Sequence, residues 1–330
     1  GGKVVRETYF GADGEPGLHT AGNHGVSLAY DSRGNELERT YFGLDGKPVA
    51  LAYGYATMRK EYGSGDKVVR GTYYSADGEP CLYKDGYHGL SLAYDGRGNE
   101  VESTYLGLDG KPVALADGYA TVRIEYGPNG KVVRRTYYSA DGEPCLCTDG
   151  YHGESFAYNG QGNEVKHTYL GLDGKPVALA NDYATMRQEY GPNGKVVRRT
   201  YYDADGKPCL CKEGYHGESF ACDGRGDVME LTFFGLDGKP VVLSHGFATM
   251  RDEYGPNGMI ARTTYYDADG KPCLCTDGYH GQSFAYDGRG NEVARTYFGL
   301  DGKPVVSSDG YATVRIEYGP NGKIVRMTYF

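Results

Sequence analysis

Several features that mark enzymes and nucleic-acid-binding proteins are missing from this sequence of 330 residues. It has no tryptophan, no Walker loop, no Gly-x-Ser-x-Gly, no His-Glu-x-x-His and no Asn-x-Ser/Thr sequon. The net charge of -9 leaves no unbalanced basic stripe, which argues against a nucleic-acid partner. No stretch approaches the roughly 18 consecutive apolar residues of a transmembrane helix. We therefore expect no catalysis, no cofactor and no membrane span.

A 32-residue repeat dominates the chain. The dipeptide Asp-Gly recurs ten times at this spacing, from Asp13-Gly14 to Asp301-Gly302, and a proline follows two residues after each glycine. A fixed period of this length is typical of an array of stacked units. We predict that residues 1–330 form a single repeat domain of ten units plus a final strand. Both ends share one phase of the repeat, so we expect a segment of a longer chain or fibre that continues head to tail.

Each repeat has the pattern of a β-hairpin. In the copy that begins at Tyr119, two strand candidates, 119–126 and 131–138, flank Gly127-Pro128-Asn129-Gly130, which is typical of a type I turn followed by a left-handed glycine. A connector follows that holds a short apolar segment, 145–147, which we interpret as a third strand. The predicted fold is all-β: an elongated tandem hairpin array, built as a twisted antiparallel sheet or a solenoid-like rod, with a closed propeller as the alternative.

The repeats alternate between two types, A and B. At one strand phase the A repeats have Arg-x-Glu where the B repeats have Ser-x-Ala, as at Ser91 and Ala93. Residues i and i+2 share a strand face, so we expect each charged pair to lie across the small residues of the adjacent hairpins. The charged pairs are Arg59/Glu61, Arg123/Glu125, Arg187/Glu189, Arg251/Glu253 and Arg315/Glu317.

A second row of arginines occupies the returning strand of the A repeats: Arg70, Arg134, Arg198 and Arg262, with Arg6 and Arg326 at the ends. The residues at the same phase of the B repeats are Glu38, Glu102, Lys166, Glu230 and Ala294. If neighbouring hairpins pair in register, these arginines face glutamate in most steps and select the register. The alternative is that all of these charges are simply solvated.

Threonine occupies one phase in every copy, from Thr8 to Thr328, and an aromatic residue follows each time. Neighbouring residues of a strand point to opposite faces, so the pattern predicts a threonine ladder on one face and an aromatic ladder on the other. A row of aromatic rings that stack on sugars is the alternative.

Three B repeats contain Cys-x-Cys-x4-His: Cys145/Cys147/His152, Cys209/Cys211/His216 and Cys273/Cys275/His280. Two thiolates and an imidazole suit zinc or copper(I), although the pattern lacks a fourth ligand. The same positions in the preceding A repeat hold Val113, Leu115 and Ala120, which favours cysteines that fill an apolar core over a metal site. Disulfides are a third alternative, and the redox compartment stays open.

The segment from Ala93 to Val101, AYDGRGNEV, resembles the tyrosine-aspartate (YD) hairpin repeats of bacterial Rhs-type proteins and toxin-complex shells. The segment Tyr137 to Gly142, YYSADG, is distantly similar to choline- and glucan-binding wall repeats. The resemblance implies a bacterial, secreted or surface-exposed hairpin array. We therefore expect a structural stalk, fibre or shell segment that self-associates. A carbohydrate- or wall-binding module that uses exposed tyrosines on surface glycans, and a soft-metal array, are the alternatives.

Overall fold

The computed structural model describes residues 3–330, and the chain there consists of 21 β-strands joined by tight turns. One 3₁₀ turn, Ser64–Asp66, is the exception to the strand-and-turn pattern in this range. Hairpins recur with the 32-residue period. The prediction of an all-β tandem hairpin array is confirmed. None of the described residues lies in a helix long and apolar enough to cross a membrane.

The first ten strands are β1 Arg6–Thr8, β2 Gly25–Tyr30, β3 Glu36–Phe42, β4 Thr57–Tyr62, β5 Val68–Tyr74, β6 Gly89–Tyr94, β7 Glu100–Leu106, β8 Thr121–Tyr126, β9 Val132–Tyr138 and β10 Gly153–Tyr158. The remaining strands are β11 Glu164–Leu170, β12 Thr185–Tyr190, β13 Val196–Tyr202, β14 Gly217–Cys222, β15 Val228–Phe234, β16 Thr249–Tyr254, β17 Ile260–Tyr266, β18 Gly281–Tyr286, β19 Glu292–Phe298, β20 Thr313–Tyr318 and β21 Ile324–Tyr329.

The strands fall into two compact units. The first comprises residues 1–156 and 169–175, and the second comprises residues 157–168 and 176–330. Within each unit, strands that are consecutive in sequence pair antiparallel, as in β2 with β3, β5 with β6 and β16 with β17. Each unit is therefore a sheet of sequential hairpins, in which every backbone ladder is supplied by neighbours in the chain.

The hairpin turns follow from their sequence. In Gly127–Lys131, the Gly127 N–H donates to the Lys131 carbonyl over 2.8 Å, and the Lys131 N–H donates to the Asn129 side chain. Gly130 has φ of 74°, the left-handed region that a side chain disfavours. The strand register shifts between Glu125 and its neighbour Tyr126, so the predicted bulge at this turn is present.

The connectors differ from prediction. The segment 145–147 does not form a third strand, although an isolated bridge between Tyr138 and Pro144 lies just before it. Its backbone bonds are isolated ones: the Cys145 N–H donates to the Tyr137 carbonyl over 3.1 Å, and the Cys147 N–H donates to the Tyr151 carbonyl over 2.8 Å. Successive connectors contact each other instead, because the Thr148 N–H donates to the Asp117 carbonyl over 2.9 Å.

Pairing is more extensive inside a hairpin than between hairpins. Strands β8 and β9 are matched through six residue pairs, whereas β9 and β10 are matched through the three pairs that start at Gly153 and Thr136. At the end of this shorter ladder, the backbone of His152 continues the hydrogen bonding by accepting from Tyr137 and donating to Leu170. The sheet of each unit therefore alternates long and short pairings.

Candidate functional site

One face of each sheet has a continuous row of aromatic rings, which we call the aromatic ladder. In the first unit, neighbouring ring centroids lie 4.7 to 6.3 Å apart, within the range of favourable aromatic pairs. Its rungs are Tyr41, Tyr55, Tyr73, Tyr87, Tyr105, Tyr119, Tyr137, Tyr151 and Tyr169. The aromatic ladder predicted from the Thr-Tyr pattern is present, with an added rung from every connector.

The ladder of the second unit contains two phenylalanines. Phe233 and Phe247 replace tyrosine on consecutive rungs, and His245 fills the space between them with ring centroids 5.5 and 3.9 Å away. The other rungs are tyrosines: Tyr183, Tyr201, Tyr215, Tyr265, Tyr279, Tyr297, Tyr311 and Tyr329. Packing therefore tolerates loss of the hydroxyl at this pair of positions.

Most ladder rings are buried or half-buried, whereas one tyrosine beside them is exposed. Tyr137, Tyr201 and Tyr265 are 6 to 7% exposed, but Tyr53 is 45% exposed. The ring of Tyr53 lies 6.2 Å from that of Tyr83, and the two planes differ by 6°. Tyr53 is thus a solvent-exposed ring that stacks on Tyr83 beside the aromatic ladder.

Two ladder tyrosines contact buried carboxylates. The Tyr137 hydroxyl donates to Glu154 Oε2 over 2.8 Å, and Arg135 Nη1 lies 4.0 Å from the same oxygen. Glu154 is 8% exposed. Burial, followed by the charge of Glu154 and this hydrogen bond, raises the pKa of Tyr137 well above its ordinary value. The phenol therefore stays protonated while its proton points at a base.

The second unit repeats this arrangement with closer charges. The Tyr201 hydroxyl donates to Glu218 Oε1 over 3.4 Å, and Arg199 Nη1 donates to the same oxygen over 3.1 Å. One repeat pair later, Gln282 replaces glutamate and its amide donates to the Tyr265 hydroxyl over 3.3 Å. The aromatic rows are thus alike, but their polar partners differ from copy to copy.

The opposite face holds the predicted charged rows, with different partners from those expected. Arg59 lies opposite Glu38 and Glu61 lies opposite Arg70, while Ser91 is the other neighbour of Arg70. The expectation that the Arg70 row faces the Glu38 row is wrong. The expectation that Arg59 and Glu61 lie directly across Ser and Ala is also wrong. Each strand has two different neighbours, and the small residues fall beside the Arg70 row and the Glu38 row.

Ion pairs form where the first arginine row meets glutamate. Arg59, Arg123 and Arg251 each place Nε 2.6 to 2.7 Å from the opposing carboxylate, of Glu38, Glu102 and Glu230 respectively. Arg187 and Arg315 lie opposite Lys166 and Ala294. The remaining members of the predicted rows, Glu125, Glu189, Glu253 and Glu317, lie opposite Arg134, Arg198, Arg262 and Arg326.

The same arginines also lie over aromatic rings. The guanidinium carbon of Arg123 is 4.1 Å from the Tyr138 ring centroid, and Arg187, Arg251 and Arg315 lie similarly over Tyr202, Tyr266 and Phe330. Threonine hydroxyls meet beside them, as between Thr104 and Thr121 at 3.0 Å. A cation over a ring is worth about 0.5–1 kcal/mol at an exposed site. This row therefore contributes through ring contact as well as through charge.

The cysteine and histidine motifs are dispersed by the fold. His152 Nδ1 lies 3.1 Å from the Cys145 carbonyl oxygen, and its ring meets Tyr138 edge-on. The Cys145 thiol donates to the Gly118 carbonyl over 3.7 Å, while Cys147 is buried. His216 and His280 make the same contacts with Cys209 and Cys273. Burial raises the pKa of Cys145. Within residues 3–330 there is no group of three or more His, Cys, Asp or Glu arranged to hold a metal.

Sequence reasoning missed the buried carboxylates. Glu154 and Glu218 occupy a phase that holds Val26 and Leu90 in other B repeats. Asp252, which accepts a 2.6 Å hydrogen bond from the Thr263 hydroxyl, is also buried, although the other A repeats hold Lys60, Ile124, Gln188 and Ile316 at its position. For Glu154 and Glu218, a charged residue where other repeats have an apolar one was the signal that could have identified them.

The chain has low similarity to solved structures. A chain of the Photorhabdus luminescens Tc holotoxin pore is 12% identical, with a TM-score of 0.27, over 92% of this chain and 18% of that chain. A chain of the TcdB2-TccC3 crystal structure is 11% identical with a TM-score of 0.25 over the same shares. A porin-like protein from Bacteroides uniformis ATCC 8492 is 13% identical with a TM-score of 0.18, over 92% of this chain and 87% of that chain.

This chain therefore spans less than a fifth of the length of the Tc toxin chains that it matches. No protein-family model matches it, and no curated protein matches it.

Proposed function

We propose that this chain is a non-catalytic structural element, a segment of a rigid extracellular stalk, fibre or shell. The observation that carries the proposal is the aromatic ladder, because its ring contacts join successive strands along most of each unit. Backbone ladders and threonine contacts repeat the same connections. An array in which every repeat is held to the next in the same way suits a part that carries mechanical load.

The sequence resemblance to YD hairpin repeats supports a secreted or cell-surface location and association with further copies or partners. We infer head-to-tail self-association of such segments into longer assemblies. Analytical ultracentrifugation and electron microscopy of the purified chain test this inference. Assemblies that lengthen with protein concentration would support it, whereas a monomer at every concentration would contradict it.

Single-molecule stretching tests the mechanical role. We expect stepwise unfolding, in which each 32-residue repeat releases on the order of 105–115 Å of chain before subtraction of its folded length. Steps of one or two repeats are expected because repeat arrays unfold through nearest-neighbour contacts. Featureless extension at low force would contradict the proposal.

A second candidate function is the binding of surface glycans at Tyr53. This ring is exposed and nearly parallel to Tyr83, and the Lys84 ammonium lies 5.8 Å from its centroid. An exposed ring face with a donor beside it suits a sugar. The matched variant is Tyr53→Asp, because Asp117 occupies the same position one repeat pair later. Glycan-array binding that is lost in this variant would support the candidate, and unchanged binding would exclude Tyr53.

A further inference from the structure

The aromatic ladder is also a chain of oxidisable side chains. Phenols are among the side chains that lose one electron most readily, and electron transfer between them slows steeply as the separation grows. In the first unit a path of touching rings leads inward from the exposed Tyr53, and none of its steps exceeds 6.3 Å between centroids. Its rings are Tyr53, Tyr83, Tyr87, Tyr105, Tyr119 and Tyr137.

The inner end of this path has a base in place. Oxidation of a phenol at neutral pH requires that its proton leave, and proton transfer needs an acceptor within hydrogen-bond reach. The Tyr137 hydroxyl already donates to Glu154 Oε2 over 2.8 Å. Arg135 and burial keep this carboxylate in position. Tyr137 is therefore the ring of the path at which an oxidising equivalent is best stabilised.

A thiol lies next to this end. Cys147 is 8% exposed, and its backbone N–H donates to the carbonyl of Tyr151, the rung that follows Tyr137. The equivalent Cys275 packs in one buried cluster with Tyr265 and Tyr279. A thiol can give an electron and a proton to a phenoxyl radical, so Cys147 can act as the final reductant.

We propose that the aromatic ladder of the first unit conducts one-electron oxidising equivalents from Tyr53 at the surface to Tyr137 and Cys147 in the interior. The substrate class is a one-electron oxidant, such as a radical or a high-valent metal complex, that contacts the exposed ring. The ladder would thereby draw oxidation away from the surface and onto a reducible thiol.

The oxidant takes one electron from Tyr53, whose O–H bond breaks and whose proton goes to water. Each inner ring then gives an electron to its oxidised neighbour and its own phenolic proton to water, while the neighbour recovers a proton from water. At Tyr137 the phenolic proton passes to Glu154. The Cys147 thiol finally supplies an electron and a proton that restore the Tyr137 phenol, and the excess proton leaves Glu154 for water. The net products are the reduced oxidant, a thiyl radical and one proton.

The second unit already has a ladder in which two phenols are missing. Phe233 and Phe247 stand at the positions of Tyr105 and Tyr119, two repeat pairs further along, and a benzene ring is far harder to oxidise than a phenol. The variant Tyr105→Phe/Tyr119→Phe therefore copies both rings of this pair, although Asp117 stands in the first unit where His245 stands in the second. The reverse variant, Phe233→Tyr/Phe247→Tyr, is the control, because it also changes two ladder rings but lies outside the path from Tyr53 to Tyr137.

The experiment uses the full chain, a bulky ruthenium photo-oxidant with a cobalt(III) quencher under anaerobic conditions, and a nitrone spin trap. Peptide mass spectrometry locates the trapped thiyl radicals. We expect adducts at Cys147 in the unaltered chain and several-fold fewer in Tyr105→Phe/Tyr119→Phe, while the adducts at Cys275 in the same molecules are unchanged. The reverse variant should leave Cys147 adducts at their original level.

A second variant covers the case in which the double substitution disturbs folding. Tyr53→Phe alters only an exposed ring and should also lower the Cys147 adducts. Equal adduct yields at Cys147 in the unaltered chain and in both interrupted variants would overturn the proposal, since the oxidant would then reach the thiol without the ladder. Absence of Cys147 adducts in the unaltered chain would overturn it too.

Discussion

Removing one tyrosine hydroxyl from the ladder should lower the local free energy of unfolding by different amounts in repeats that have the same ring packing. Tyr137→Phe keeps the ring but removes the donor to Glu154, a carboxylate that is 8% exposed. Leaving a buried charged group with one donor fewer costs about 1–3 kcal/mol. Tyr265→Phe removes a longer, neutral hydrogen bond, 3.3 Å from Gln282, for which we expect about 0.5–1.5 kcal/mol.

The assay has to be local, because a repeat array does not unfold in a single two-state step. Hydrogen exchange of the β9 and β10 amides, and of the equivalent β17 and β18 amides, reports the opening free energy of each pair of strands. We expect a clear loss of protection near β9 and β10 for Tyr137→Phe and a smaller loss near β17 and β18 for Tyr265→Phe.

A double-mutant cycle completes the test. Glu154→Leu reproduces the residue found at Leu90, and Arg135 is 44% exposed and can be hydrated when its partner is gone. Replacing both partners of a buried hydrogen bond by apolar groups is often nearly neutral. Tyr137→Phe/Glu154→Leu should therefore recover most of the protection lost in Tyr137→Phe. Equal losses in Tyr137→Phe and Tyr265→Phe, together with no recovery in the double variant, would refute the reasoning.

Three further predictions concern single contacts. Burial raises the pKa of Asp252, so its contribution to stability is complete below the unfolded pKa and is lost as the pH rises through the folded pKa; Asp252→Asn should therefore protect β16 and β17 from exchange at pH 7 but not at pH 3. Glu102→Ala breaks an ion pair to Arg123 whose side chains are 51% and 38% exposed, so we expect a loss of about 0.2–1 kcal/mol in low salt that disappears in concentrated salt. Gly130→Ala forces a side chain into the left-handed region and should cost about 1–2 kcal/mol by exchange in β8 and β9.

Controls for these variants come from other copies of the repeat. Ala294 already lies opposite Arg315, so the hairpins on either side of it should show little salt dependence. If they respond to salt as strongly as the Glu102 site, the ion pair is not the cause. A pH-independent effect of Asp252→Asn would show that the Thr263 hydrogen bond, and not the charge, matters there.

Local sequence chemistry predicted the hairpins well. Pro128, Asn129 and Gly130 each favour one position of a type I turn with a bulge, and the structure places them there. The alternation of threonine with tyrosine predicted the two ladders, because the strand period of two fixes the face of each side chain. These features depend on residues that are close in the chain.

Partners across strands were harder to predict. The sequence shows that Arg70 and Glu38 occur at equivalent phases, but equivalence says nothing about adjacency. The turn lengths set the register, and they place Arg59 beside Glu38 and Arg70 beside Glu61. The contact of Glu154 with Tyr137 was missed for a related reason, since it depends on the short ladder between hairpins and on a departure from the pattern.

The boundary from a B repeat to an A repeat differs from the boundary from an A repeat to a B repeat, and this difference limits how the number of repeats can change. Glu102 meets Arg123 where a B repeat is followed by an A repeat, and Ser155 meets Arg134 where an A repeat is followed by a B repeat. Loss of 64 residues would rejoin strands of the original kinds, so every side chain would find its usual neighbour. Loss of the 32 residues of an A repeat would set two B repeats side by side, with a glutamate opposite a serine. Duplications and deletions should therefore be tolerated in steps of two.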